Sequence, residues 1–297
     1  MTAKILDGYA VAKGIEREIA DEVQVFKKTY GWAPGIAVVQ VGKDPAASWY
    51  VRQIKRRFTG VGMRFALHTL EAEAGEETLA ACVEELNGDP RTNGIIVQMP
   101  LPEHLSEDAV VGMLDPAKDV DGAHPLNAGR LFQEVGDAFL PSPRGHHAFA
   151  PAAPAGGMEL LRSYGISLKG KSTVVVGQGH VGRPMALLML LDGATVTLCH
   201  IFTKDLAFHT RQGEVLVSAV GKAKLISADM IRPGAVVLDF GTSVVDGKLV
   251  GDVDTEAAKQ VAGYITPVPG GTGPMTNAML MRNTLTAAQQ QMAESNL

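Results

Sequence analysis

The 297-residue chain is poor in cysteine, in aromatic residues and in excess charge of either sign. Its 2 cysteines, Cys82 and Cys199, are far apart, and no CxxC or HExxH spacing occurs. Neither a disulfide framework nor a metal site is expected, and both thiols read as small core residues. Basic and acidic side chains number 27 and 32, a formal net charge of −5 with no Lys/Arg tract. Nucleic acid and anionic membrane surfaces require concentrated positive charge, so neither is an expected partner. No apolar run approaches the roughly 18 residues of a membrane span, and Met1 to Asp7 lack the basic-then-apolar order of a signal peptide. A cytoplasmic protein is expected. Disorder is excluded too, because 46% of the residues are hydrophobic. A soluble, two-domain chain that binds a small molecule remains.

What is present is an alternation of helical and strand patterns. Ile15, Ile19, Val23 and Phe26 share one helical face between Asp7 and Gly31. The continuous apolar run Gly35 to Val41 reads as a buried strand. A helix follows the turn Gly42 to Pro45 and runs to Gly60. Strand Phe65 to Leu70, helix Glu77 to Asn87 and strand Gly94 to Gln98 complete the first half. Residues 115–157 hold six prolines and no regular period, which places a domain boundary there, and the Ala/Pro-rich stretch Ala148 to Ala155 reads as a mobile loop. Strands then recur at Ser172–Val176, Thr195–Leu198, Val215–Ala219 and Ala235–Asp239. The expected class is α/β, with two α/β domains around a cleft and a Rossmann-type dinucleotide-binding domain as the second.

The strongest local motif is Gly177-Gln178-Gly179-His180-Val181-Gly182, set between the strand Thr173–Val176 and an apolar helix from Pro184. That context is what a dinucleotide fingerprint requires. Gly177 permits the turn, Gly179 lets backbone approach a pyrophosphate, and Gly182 allows close helix packing. The other reading of the same residues is a turn needed only for packing. The next strand ends at His200, with neither the acid that holds an NAD ribose nor an evident arginine for NADP.

Several longer segments together resemble the bifunctional methylenetetrahydrofolate dehydrogenase/cyclohydrolase family, along nearly the whole chain. They are residues 41–46 with Tyr50-Val51, residues 94–102, 115–122 and 124–131, Val181 to Met185, Gly251 to Asp254 and Pro267 to Thr276. The resemblance implies a folate domain over residues 1–145, completed by a C-terminal helix in 275–297, and an NAD(P) domain over 146–274. It implies folate stacked on Tyr50, Asp121 taking the pterin ring, and Gln98 beside the reacting carbon. Pro267, Gly270, Gly271 and Thr272 would border substrate and nicotinamide. It also implies a homodimer. Taken alone, Asp121-Gly122 is an ordinary turn and Gln98 an ordinary strand-end residue.

The chain also departs from the family pattern. Where the family has Tyr-Val-x-x-Lys, this sequence reads Tyr50-Val-Arg-Gln-Ile54, and the neighbouring Lys55 points in another helical direction. The family's Pro-Cys-Thr-Pro becomes Pro151-Ala-Ala-Pro154, after an apparent insertion containing Arg144, His146 and His147. The arginine and serines expected to meet a 2′-phosphate are replaced at Gln178, Gly179 and Ile201, so either dinucleotide is possible and NAD is preferred. The leading expectation is a dehydrogenase whose cyclohydrolase half is weak or lost. Two alternatives stay open: a non-catalytic folate- or nucleotide-binding paralogue, and a member recruited to another one-carbon or heterocyclic substrate.

Overall fold

The computed structural model describes residues 2–133 and 148–294. Arg144, His146 and His147 therefore lie outside the described residues. In chain order the elements begin β1 (Lys4–Ile5), α1 (Gly8–Tyr30), β2 (Gly35–Val41), α2 (Pro45–Gly60), β3 (Arg64–Leu70), α3 (Glu76–Gly88) and β4 (Gly94–Val97). Next come α4 (Glu107–Met113), α5 (Pro125–Gln133), α6 (Ala152–Ser163), β5 (Ser172–Val176), α7 (Gly182–Leu191), β6 (Thr195–Cys199), α8 (Leu206–Thr210) and β7 (Val215–Ser218). The chain ends with β8 (Val236–Asp239), β9 (Ser243–Val245), β10 (Lys248–Val250), α9 (Thr255–Ala258), β11 (Tyr264–Ile265) and α10 (Thr272–Glu294). Two compact units result: Gly14–Arg130 with Asn277–Leu297, and Met1–Lys13 with Leu131–Thr276.

The first unit is built on a three-stranded parallel sheet, order β3-β2-β4. Every residue of β2 and β4 is buried, which is why both strands are apolar without alternation apart from Gln40. Beneath them, Leu79, Val83 and Leu86 of α3 pack with Val39, Ile95 and Val97. In α1 the Ile15/Ile19/Val23/Phe26 stripe is buried, and Gly31, at φ +79°, ends the helix in a conformation that favours glycine. Asp44 caps α2, its Oδ1 accepting from Ala47 N at 2.7 Å, with Pro45 pre-set for the first turn.

The second unit carries a six-stranded parallel sheet, order β1-β11-β8-β7-β5-β6, and a separate antiparallel hairpin of β9 and β10. The alternation read from sequence is thus a parallel α/β arrangement in both units. Two features differ from the sequence reading. Residues 4–5, counted there with the folate domain, form β1 and pair with Tyr264–Ile265 of β11. The expected loop at Ala148–Ala155 is helical from Ala152, with Ala152, Pro154 and Ala155 buried. Pro154 is tolerated because a first-turn residue needs no intrahelical N–H bond.

Candidate active site

In the first unit, polar side chains collect where β2 and β4 end, the carboxyl edge at which parallel sheets hold ligands. Gln40 follows Val39, whose carbonyl accepts from Gln98 N at 2.8 Å, so the two glutamines leave adjacent strands at one level. Gln40 Nε2 donates to Ser48 Oγ at 2.9 Å, tying the first turn of α2 to this edge. Gln98 Nε2 donates to Met99 O at 2.7 Å, but its Oε1 is a buried acceptor with no partner among the described residues. Tyr50, partly exposed on α2, has its phenol pushed well above the ordinary range by desolvation, with the Asp121 carboxylate adding to the effect. Tyr50 and Asp121 are therefore close, and the phenol stays protonated at neutral pH.

Ile54, one helical turn after Tyr50, is fully buried in a stripe with Ala47, Val51 and Phe58, whereas Lys55 is exposed. The side chain at position 54 is thus part of the α2 packing face, and no lysine replaces it from position 55.

The Asp115–Gly122 segment divides its polar residues between scaffold and site. Lys118, 6% exposed, donates from Nζ to the carbonyls of Leu86, Asn87 and Asp89, closing the carboxyl end of α3. Burial holds its pKa below the ordinary lysine range. Asp119 accepts from the backbone of Ala123 and His124 and from Asn127 Nδ2, which folds the chain back into α5. Asp121 is near enough to Tyr50 for its charge to act on the phenol.

In the second unit the glycine turn follows β5 directly. Gly177 has φ +107°, and a Cβ there would lie 2.2 Å from Ala219 O. A Cβ on Gly182 would lie 1.9 Å from Gly177 O, so the start of α7 is pressed onto the turn itself. Gly179 is different: it is exposed, and a Cβ there meets nothing within 4 Å. Open space above an exposed backbone, between two glycines fixed by packing, suits the approach of a pyrophosphate at a helix start. Gln178 and His180 are exposed beside it and Val181 is half-buried. After β6, His200 Nδ1 accepts from Phe202 N at 3.1 Å, and Ile201 is 88% exposed.

The loop after β11 is held from both sides. Gly8 N donates to Gly270 O at 3.0 Å, and a Cβ on Gly8 would sit 1.7 Å from Gly271 O. The Tyr9 ring packs on Gly270, which has φ +107°. Gly271 N donates to Pro267 O, and the buried Thr272 donates its hydroxyl to Asp239 O at 2.9 Å. Thr272 therefore has only acceptor capacity left for any ligand.

Sequence reasoning missed a pair of buried carboxylates behind this loop. Asp239 accepts from the N–H groups of Gly241, Asp252 and Val253. Asp252 accepts from Ser218 Oγ and the N–H groups of Val220, Gly221 and Lys222. Desolvation raises Asp239 to about 6 despite its backbone donors, and Asp252 opposes its ionisation. A raised folded-state pKa means that the native form binds the proton more tightly than the unfolded chain. Its contribution to stability is complete below pH about 4 and lost as pH rises through about 6. Asp239→Asn is expected to be destabilised, since an amide N–H₂ would oppose a backbone donor. Its urea midpoint should trail the native protein most near pH 4 and less above pH 6; a gap that widens with pH would contradict this. Among the described residues, no three His, Cys, Asp or Glu side chains group as metal ligands.

Comparison with known proteins bears directly on these two units. Residues 6–121 match the tetrahydrofolate dehydrogenase/cyclohydrolase catalytic domain, and residues 151–292 match the NAD(P)-binding domain of the same enzymes. The chain belongs to the tetrahydrofolate dehydrogenase/cyclohydrolase family. A bifunctional protein FolD from Herpetosiphon aurantiacus is 50% identical over 97% of this chain and 98% of its own length. The bifunctional FolD of Campylobacter jejuni superposes with a TM-score of 0.90 at 39% identity, covering 97% of this chain and 99% of that one. A Trypanosoma brucei FolD, solved with NADP and an inhibitor, gives 0.91 at 36% identity, with 98% and 99% coverage. The α/β class and the dinucleotide-binding character of the second unit expected from sequence are those of the tetrahydrofolate dehydrogenase/cyclohydrolase family.

Proposed function

We propose that this chain oxidises 5,10-methylenetetrahydrofolate by hydride transfer to NAD(P), with NAD preferred, and that its cyclohydrolase activity is weak. The observation that carries the reading is the grouping of Tyr50, Asp121 and the unpartnered Gln98 Oε1 in one unit, alongside a glycine turn with open space at Gly179 in the other. Tyr50 offers a ring face to a flat ligand. Asp121 accepts paired hydrogen bonds from an aminopyrimidine edge. Gln98 Oε1, desolvated and without a donor, stabilises positive charge that develops on the methylene carbon as the hydride leaves. That charge is shared with the two adjacent folate nitrogens, so no residue need remove a proton. The Gly177–Gly182 turn would hold NAD(P), with His200 at its ribose and Pro267, Gly270, Gly271 and Thr272 bordering the nicotinamide, and the cofactor would supply the hydride acceptor.

Hydrolysis of the methenyl product is different, because water attack needs a group that moves protons. Ile54 cannot do so, and the exposed Lys55 lies on another face of α2. The Campylobacter jejuni and Trypanosoma brucei relatives carry both activities in their names, so this half rests on position 54 alone.

Preference for NAD rests on the turn after β6. The apolar Ile201 is exposed there, and His200 uses Nδ1 to accept a backbone N–H, so neither side chain offers the charged fork that suits a 2′-phosphate. Reduced-nicotinamide absorbance with methylenetetrahydrofolate tests both statements. Turnover is expected with NAD, at a kcat/KM about tenfold above that with NADP, the loss of one charge-assisted hydrogen bond. No turnover with either nucleotide would sink the dehydrogenase reading.

A cytoplasmic homodimer is part of the same proposal. No described helix is long and apolar enough to cross a membrane. The edge strand β6 exposes Leu198, and α7, which packs against it, exposes Leu190; these suit a second copy. Light scattering should give twice the mass of one chain; a single-chain mass would refute the dimer.

A further inference from the structure

We propose that Asn277, on α10, is a specificity-determining contact of the folate ring, its amide oxygen accepting an N–H from the bound heterocycle. This deepens the folate reading above and depends on it. Asn277 is 6% exposed, yet its Oδ1 has no hydrogen-bond partner among the described residues. A buried amide oxygen without a donor is disfavoured, and native structures rarely keep one without a use.

Its place on α10 indicates that use. Gln291 Nε2 donates to the carbonyls of Asn93 and Ala117. Eight residues earlier, Asn283 Nδ2 donates to Val120 O at 2.8 Å. Thr284 Oγ1 lies 3.1 Å from where a Cβ on Gly94 would stand. As α10 is followed backwards, its partners advance from 117 to 120 and from 93 to 94. The helix thus runs antiparallel to β4 and to the segment leading to Asp121. Asn277 precedes Thr284 by one heptad, so it lies on the same face, about 10 Å further along the axis. From Gly94 to Gln98 a strand advances about 13 Å. Asn277 is therefore carried toward the end of β4, where Gln98 also presents an unpartnered oxygen. With Gln98 Oε1 at the reacting carbon, the Asn277 oxygen complements a ring rich in N–H donors, which a reduced pterin is.

The test compares the native protein with Asn277→Leu, which is similar in size and cannot hydrogen-bond. The KM for methylenetetrahydrofolate should rise on the order of tenfold. The dinucleotide dissociation constant should be unchanged, and the ligand-free Tm equal or higher, because an unsatisfied buried amide is gone. A purely structural asparagine would give the reverse, with Tm lowered and KM unmoved, and that result overturns the inference. If Asn277→Leu does not fold, Asn277→Ala carries the same expectation, since it only removes atoms. Folate binding by the native protein, read by thermal shift, separates the two levels. Binding with an unaltered variant KM defeats the Asn277 assignment alone, and no binding defeats the folate reading with it.

Discussion

Ile54→Lys should raise the rate of methenyltetrahydrofolate hydrolysis by at least about a hundredfold, the usual contribution of one well-placed acid–base group. Position 54 lies one turn from Tyr50 on α2, and the native side chain there is fully buried between Val51 and Phe58. A lysine stem is long enough to fill the volume of the isoleucine, and desolvation would lower the ammonium pKa toward neutrality, where it can exchange protons. Ordering a charge at a fully buried site should cost several degrees in Tm. Dehydrogenase turnover should persist, because hydride departure needs no proton acceptor. Lys55→Ala should change neither activity. Methenyl absorbance decay measures the outcome. A folded Ile54→Lys protein with no gain, or a native protein that already hydrolyses at the dehydrogenase rate, would contradict the role given to position 54.

The glycine turn should separate packing from ligand approach by substitution. Gly182→Ala places a methyl 1.9 Å from Gly177 O, and a backbone carbonyl at the root of a buried strand cannot swing aside. Loss of soluble protein, or a Tm lower by about 10 °C or more, is expected. Gly179→Ala meets nothing within 4 Å, so the fold should be untouched and Tm should stay within about 2 °C. Its methyl nevertheless stands in the space left for a pyrophosphate, and dinucleotide affinity should fall about tenfold or more. Thermal melts with dinucleotide titration decide the matter. Unchanged affinity in Gly179→Ala would return the whole motif to a packing role.

These residues also show where a sequence can be read and where it cannot. Strand β2 was legible because burial on two faces leaves an apolar run broken only at Gln40, and β5 because Val174 to Val176 lead straight into the glycine turn. Strands β1 and β11 were not, since two residues carry no period and exist only through pairing with partners far along the chain. The β9–β10 hairpin did carry a signal: Asp246-Gly247, both at positive φ, is a turn pair that hairpins favour. The Ala/Pro stretch misled because proline in a first helical turn looks the same as proline in a loop. In the site, the three glycines were legible in type and place, whereas Tyr50, Gln98 and Asp121 came only from family likeness. Their juxtaposition is tertiary, as is the burial that singles out Asn277 from any other helical asparagine.

The pairing of β1 with β11 has a consequence for how the chain can be made. Residues 4–5 leave the ribosome long before their partners at 264–265. The other unit likewise waits for the segment beginning at Asn277 before its helical layer is complete. Neither unit is therefore a contiguous stretch of gene. Both closures join residues far apart in the chain, so folding is slow by topology. A cut near residue 130 yields not two domains but two fragments, each lacking a part that only the other encodes.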